Sequence, residues 1–99
     1  MTIVNTVDYI TISSTGNATD FGDLSAAKTG TATCASSTRS LVSGGYTGSV
    51  EVNVIEYFTT ASTGNGTDFG DLDGTHSDGY AGSSKTRALF QRNAVLNYV

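Results

Sequence analysis

Carboxylates are the residues in this chain with the most obvious chemical potential. Asp20 and Asp23 stand among Gly and Asn in "TGNATDFGDL" (15–24), and Asp68, Asp71 and Asp73 in "TGNGTDFGDLD" (63–73). Oxygen ligands in polar, glycine-rich turns suit calcium. Two carboxylates held in different protonation states suit glycoside hydrolysis. The spacing favours neither. "DLDG" at 71–74 lacks the ligand spacing of an EF-hand loop, and Ser25 stands where the second stretch has Asp73. Both stretches carry the same acidic pair, whereas an active site is rarely duplicated within one chain. The expected role is local: Asp20 and Asp68 accept backbone N–H groups within their turns. No catalytic residue, metal or cofactor is expected.

Other reactive side chains are sparse. His76, the single histidine, is expected on a surface loop, and its neighbours Ser77 and Asp78 make no triad by adjacency alone. No G-x-S-x-G turn is present. Cys34 has no disulfide partner in the chain and nothing beside it to activate it, so it reads as a buried structural thiol. An enzyme would need a convergent set of ligands or a carboxylate dyad, and one His and one Cys do not supply it.

The elements that position these residues follow from an internal repeat. A shift of 48 lays "NTVDYITISSTGNATDFGDL" (5–24) on "NVIEYFTTASTGNGTDFGDL" (53–72), and "ASSTRSLVSGG" (35–45) on "SSKTRALFQRN" (83–93). A constant offset through separate blocks indicates duplication. The chain reads as one domain, 1–99, of two copies of a 48-residue repeat (3–50 and 51–93) plus a C-terminal strand, 94–99. Val4–Ile12 and Val52–Thr60 alternate as strands, with Thr and acidic residues on one face and Val, Ile, Tyr and Phe on the other. "TGN" reads as a turn built on residues that tolerate positive φ. Brief strands follow at Phe21 and Phe69, then at Thr31–Ala35 and Gly79–Ser83, then at Arg39–Ser43 and Arg87–Gln91. Ser, Thr and Gly supply 40 of the 99 residues, Pro and Trp are absent, and no window has a helical apolar period. The fold class is all-β. A net charge of −4 with five unclustered basic residues argues against a nucleic-acid surface. The opening "MTIVNTVDYITIS" has neither the basic start and long apolar core of a secretion signal nor the length of a membrane span.

Four strands per 40–50 residues is the period of a propeller blade. "LVSGGYTGSVEVNVIEYFTTASTGNGTDFGDL" (41–72) resembles a Kelch-type repeat: an apolar strand ending in Gly-Gly, a loop, a Tyr-bearing strand, a turn, then an aromatic. Phe21 and Phe69 stand where the Kelch pattern usually has Trp. "STGNATDFGDL" and "SSTR…GGY" are similar to phrases that recur in Kelch-like arrays of bacteriophage virion proteins, those of marine cyanophages especially. The second copy departs from the pattern, with "QRN" in place of "SGG".

The resemblance implies β-propeller blades with strands in the order c-d, a-b-c-d, a-b. One blade is then complete and two are halves, so the ring must be closed by a homo-oligomer, with a trimer of six blades favoured. It also implies a virion location, partners among other virion proteins, and a non-enzymatic role as head decoration, fibre or tail-associated module. A carbohydrate-binding module that recognises a cell-surface glycan is the alternative. Arg39 and Arg87, at equivalent positions after "SST" and "KT", are the possible ligand-facing residues. They either pair with Asp between blades or form a positive rim for an anionic glycan. Tyr9, Tyr57 and Tyr98 are expected to pack with bonded hydroxyls, and Phe21 and Phe69 to anchor each outer strand on the neighbouring blade.

Overall fold

The computed structural model describes residues 2–91. The expected strand at 94–99, Tyr98 and the "RN" of "QRN" therefore lie outside the described residues. Among those described, every regular element is a β-strand. In chain order they are β1 (Thr6–Tyr9), β2 (Thr19–Asp23), β3 (Ala32–Ala35), β4 (Arg39–Ser43), β5 (Val52–Thr59), β6 (Thr67–His76), β7 (Tyr80–Ser83) and β8 (Ala88–Gln91). They form three antiparallel sheets of two, four and two strands: β1-β2, β3-β4-β5-β6 and β7-β8. This is the grouping of strands that the resemblance implies. One chain closes no ring; it holds one complete four-stranded meander flanked by two hairpins.

Equivalent turns are built alike. After β3, Ser36 Oγ accepts the N–H groups of Thr38 (3.3 Å) and Arg39 (3.2 Å). After β7, 48 residues on, Ser84 Oγ accepts those of Thr86 and Arg87 (both 3.3 Å). A hydroxyl that caps its own turn gives the backbone a local alternative to the ladder, and so ends one strand and starts the next. The β1–β2 and β5–β6 connections turn at Thr11–Ser14 and Thr59–Ser62, each closed by a backbone bond of 3.2 Å. "TGN" is thus not the turn. Gly16, Asn17, Gly64 and Asn65 all lack positive φ; among the described residues the one non-glycine with it is Asp78. Left-handed backbone is needed instead at Gly44 (φ 66°) and Gly45 (φ 113°), where β4 gives way to the loop before β5.

The core is thin. Ala32, Ile55 and Phe58 are the buried apolar residues among those described, while nine large apolar residues are exposed. An aromatic chain carries one sheet onto the next: Tyr9 meets Phe21 edge-on at 5.7 Å, and Phe21 meets Phe58 of β5 at 5.8 Å. Phe21 anchors its strand on the neighbouring sheet, as expected. Phe69, its equivalent, touches Tyr57 of its own sheet and stays 55% exposed. At the other side β7 packs beside β3. Positions 48 apart meet there: Ser83 Oγ donates to the Ala35 carbonyl (2.6 Å), and Asp78 N–H donates to that of Gly30 (2.7 Å).

Candidate functional site: the open sheet edges

The doubled phrase does its bonding between sheets. Gly64 N–H donates to Phe21 O (2.9 Å), Gly66 N–H to Asp23 O (2.8 Å), and Asn65 Oδ1 accepts Asp23 N–H (3.0 Å). Residues 64–66 therefore satisfy the outer edge of β2. Gly22 has to be glycine because a Cβ there would collide with the Gly64 carbonyl oxygen. Asn65 is a clasp rather than a turn residue. Asp20 and Asp68, expected to accept N–H groups within their turns, do not: with Asp23, Asp71 and Asp73 they are exposed, and among the described residues none of these five carboxylates accepts a hydrogen bond. They lie on strands, where the ladder already takes up the nearby N–H groups.

A buried ion pair locks the same junction. Lys28 Nζ lies 3.1 Å from Glu56 Oε2, with each side chain 1% exposed. Glu56 also accepts from Ser25 N–H (2.9 Å) and Ser25 Oγ (3.0 Å), so its charge meets one cation and two donors. The segment linking β2 to β3 is thereby fixed onto β5. Acidic residues of this strand were expected on a polar face, but Glu56 shares the face of Val54 and Phe58, and β5 is covered on both faces, as a central strand can be. Gly66 leaves room for this carboxylate, since a Cβ would fall on Glu56 Oε1. The first copy has Ala18 there and the shorter Asp8 opposite. The sequence holds one signal for the pair, an acidic residue flanked by apolar ones in "NVIEYF".

His76 is not on the surface. It ends β6, is 1% exposed, and both ring nitrogens lack a partner among the described residues. Its ring lies against Gly44 and Gly79, where any Cβ would crowd it. β6 runs further than expected, with His76 opposite Val52, and this carries the ring into the interior. Cys34 is half-buried on β3. Tyr9 is exposed, and neither Tyr9 nor Tyr57 makes the expected hydroxyl bond among the described residues.

Arg39 and Arg87 come to one groove. The Arg39 guanidinium sits 4.1 Å from the Tyr57 ring centroid, a cation–π contact. Arg87 is exposed just before β8. Neither pairs with an aspartate, since Lys28–Glu56 is the ion pair among the described residues. With Lys85 they rim a cavity of about 560 Å³ whose floor includes Leu41, Ile55, Phe69 and Phe90. A second cavity, of about 350 Å³, opens on the opposite flank between β1 and β3-β4 and includes Ile10, Phe21 and Val42. One groove thus lies beside each unfinished hairpin. What this arrangement offers chemically is backbone pairing and apolar contact. No protein-family model matches the chain, and no curated protein matches it.

Proposed function

We propose that this chain is a non-enzymatic structural subunit that works by self-assembly, its sheets serving as Kelch-like propeller blades in a ring of three copies and six blades. The observation that carries the reading is the two-four-two division of strands. The hairpin β1-β2 corresponds to the outer half of a blade and β7-β8 to the inner half, so each end of one chain lacks what the other end of a second chain has. Contact between positions 48 apart, at Ala35–Ser83 and Gly30–Asp78, supports successive blades turning about an axis close to β3 and β7. Three buried apolar residues among those described are few for a domain of this size. In the virion role that the resemblance implies, the ring is a head decoration, fibre or tail-associated module that presents its loops. Native mass spectrometry at micromolar concentration tests the reading: a trimer is expected, and a monomer overturns it.

One observation favours a second reading. Arg39, Lys85 and Arg87 gather on one groove, which suits an anionic glycan in a host-recognition module. An array of sulfated and sialylated glycans separates the two, since a purely structural ring gives no specific binding.

A further inference from the structure

We infer that the partner surface on each side is a defined edge of a second copy, in a register set by the repeat: β8 of one copy pairs antiparallel with β1 of the next. This rests on the reading of the chain as a self-associating subunit and adds which strands meet and how.

The complete sheet supplies the template. Within it β4 pairs with β5, placing Ser40 opposite Phe58, Leu41 opposite Tyr57 and Val42 opposite Glu56. Subtracting 48 from the β5 numbers gives β1, and adding 48 to the β4 numbers gives β8. Ala88 then faces Ile10 of the second copy, Leu89 faces its Tyr9, and Phe90 its Asp8. Among the described residues both edges are free: β8 pairs there only with β7, and β1 only with β2. The exposed residues are those the template would cover. Ile10 is 60% exposed where its equivalent Phe58 is 4%, and Leu89 is 71% exposed where Leu41 is half-buried. Exposed apolar side chains on an open edge are what a sheet-extending partner buries.

The doubled phrase adds a second contact with the same offset. Within the chain, residues 64–66 close the outer edge of β2. Their equivalents 16–18 are exposed and make no hydrogen bond to another sheet among the described residues. The equivalent of β2 is the Thr67–Asp71 stretch of β6, an outer edge beside the exposed Phe69. Residues 16–18 of the second copy fit there, with Gly16 N–H on the Phe69 carbonyl and Asn17 Oδ1 accepting Asp71 N–H. The pairing is head to tail, so it propagates round a ring rather than closing a two-fold dimer.

The test uses full-length chains in a Cys34→Ser background. One carries I10C, the other A88C; they are unfolded together, refolded as an equal mixture and air-oxidised. Cross-strand cysteines at directly opposed positions lie within disulfide reach. The expected product is the I10C–A88C heterodimer, at least tenfold above either homodimer. A D8C chain, displaced by two residues, is expected to give no heterodimer with A88C. Predominance of the A88C homodimer would mean that like edges meet, and a D8C–A88C product would mean another register; either overturns the inference. Native mass of the unoxidised mixture separates the two levels. An oligomer without the heterodimer defeats the register and leaves self-assembly standing, whereas a monomer defeats both.

Discussion

Replacing Lys28 with Met tests how the first junction is held. At 3.1 Å, with both side chains 1% exposed, the Lys28–Glu56 attraction is about 5 kcal/mol at an effective dielectric of about 20. Much of that only offsets the cost of taking two charges out of water, so the pair's net worth is smaller. Removing the ammonium alone leaves Glu56 buried, charged and held by Ser25 only, which costs about 3–5 kcal/mol. For a chain of this size that lowers the melting temperature by more than about 12 °C. Glu56→Gln alone strands Lys28 in the same way. In the double variant K28M/E56Q no charge is buried, and Gln can still accept Ser25 N–H, so the loss falls to about 1–2 kcal/mol. Urea unfolding followed by far-ultraviolet circular dichroism, with all four proteins at one concentration, completes the cycle. The expected coupling is at least about 3 kcal/mol, the double variant being more stable than either single one. A K28M loss below about 1 kcal/mol, or additive losses, would show that the pair is solvated like a surface salt bridge and would refute the reasoning.

Phe58→Ala should cost about 3–5 kcal/mol by emptying the site against which Phe21 packs, whereas Ile10→Ala at the equivalent exposed position should change the isolated chain by less than about 1 kcal/mol; urea titrations of dilute protein compare them. Asn65→Ala should cost about 1 kcal/mol of fold stability by leaving Asp23 N–H unanswered. Asn17→Ala should leave the dilute chain within about 0.5 kcal/mol and instead weaken self-association, read by sedimentation across a concentration series. His76→Leu removes two partnerless buried nitrogens and should be neutral or stabilising by up to about 1 kcal/mol in thermal melts. A loss above about 2 kcal/mol there would reveal a partner for the ring.

The repeat made the strands legible, because each one read in the first copy recurs 48 residues on, while their grouping came from the resemblance. Arg39–Ser43 is β4 to the residue, and Val52–Thr60 exceeds β5 by one. What stayed illegible was mostly long-range. Alternation puts Glu56 on the face of Val54 and Phe58, but residue type alone places a carboxylate toward water, and here it lies in the core. Nothing local links it to Lys28 or Ser25, and sequence separation hides such a pair. His76 was misjudged because β6 continues past the point where β2 stops, and a lone histidine has no pattern to betray its burial. The "TGN" stretch looked like a turn because Gly and Asn are turn formers. Its glycine and asparagine are there for close approach and for a side-chain bond to another sheet. The site is legible in the sequence only through the phase of the repeat, read in the strand order of the resemblance, which sets a two-strand unit on either side of the four-stranded one.

The clasp at residues 64–66 has a twin at 16–18 with identical Gly and Asn, yet the two work under different conditions. The first is tethered to its target by about forty residues of chain, which holds it at an effective concentration on the order of millimolar. The second, in the proposed ring, must find its target by diffusion at whatever concentration the cell provides. The same local contacts would therefore be saturated in one place and titratable in the other. Dilution would open the ring at the untethered seams first, each subunit departing with its own clasp still shut.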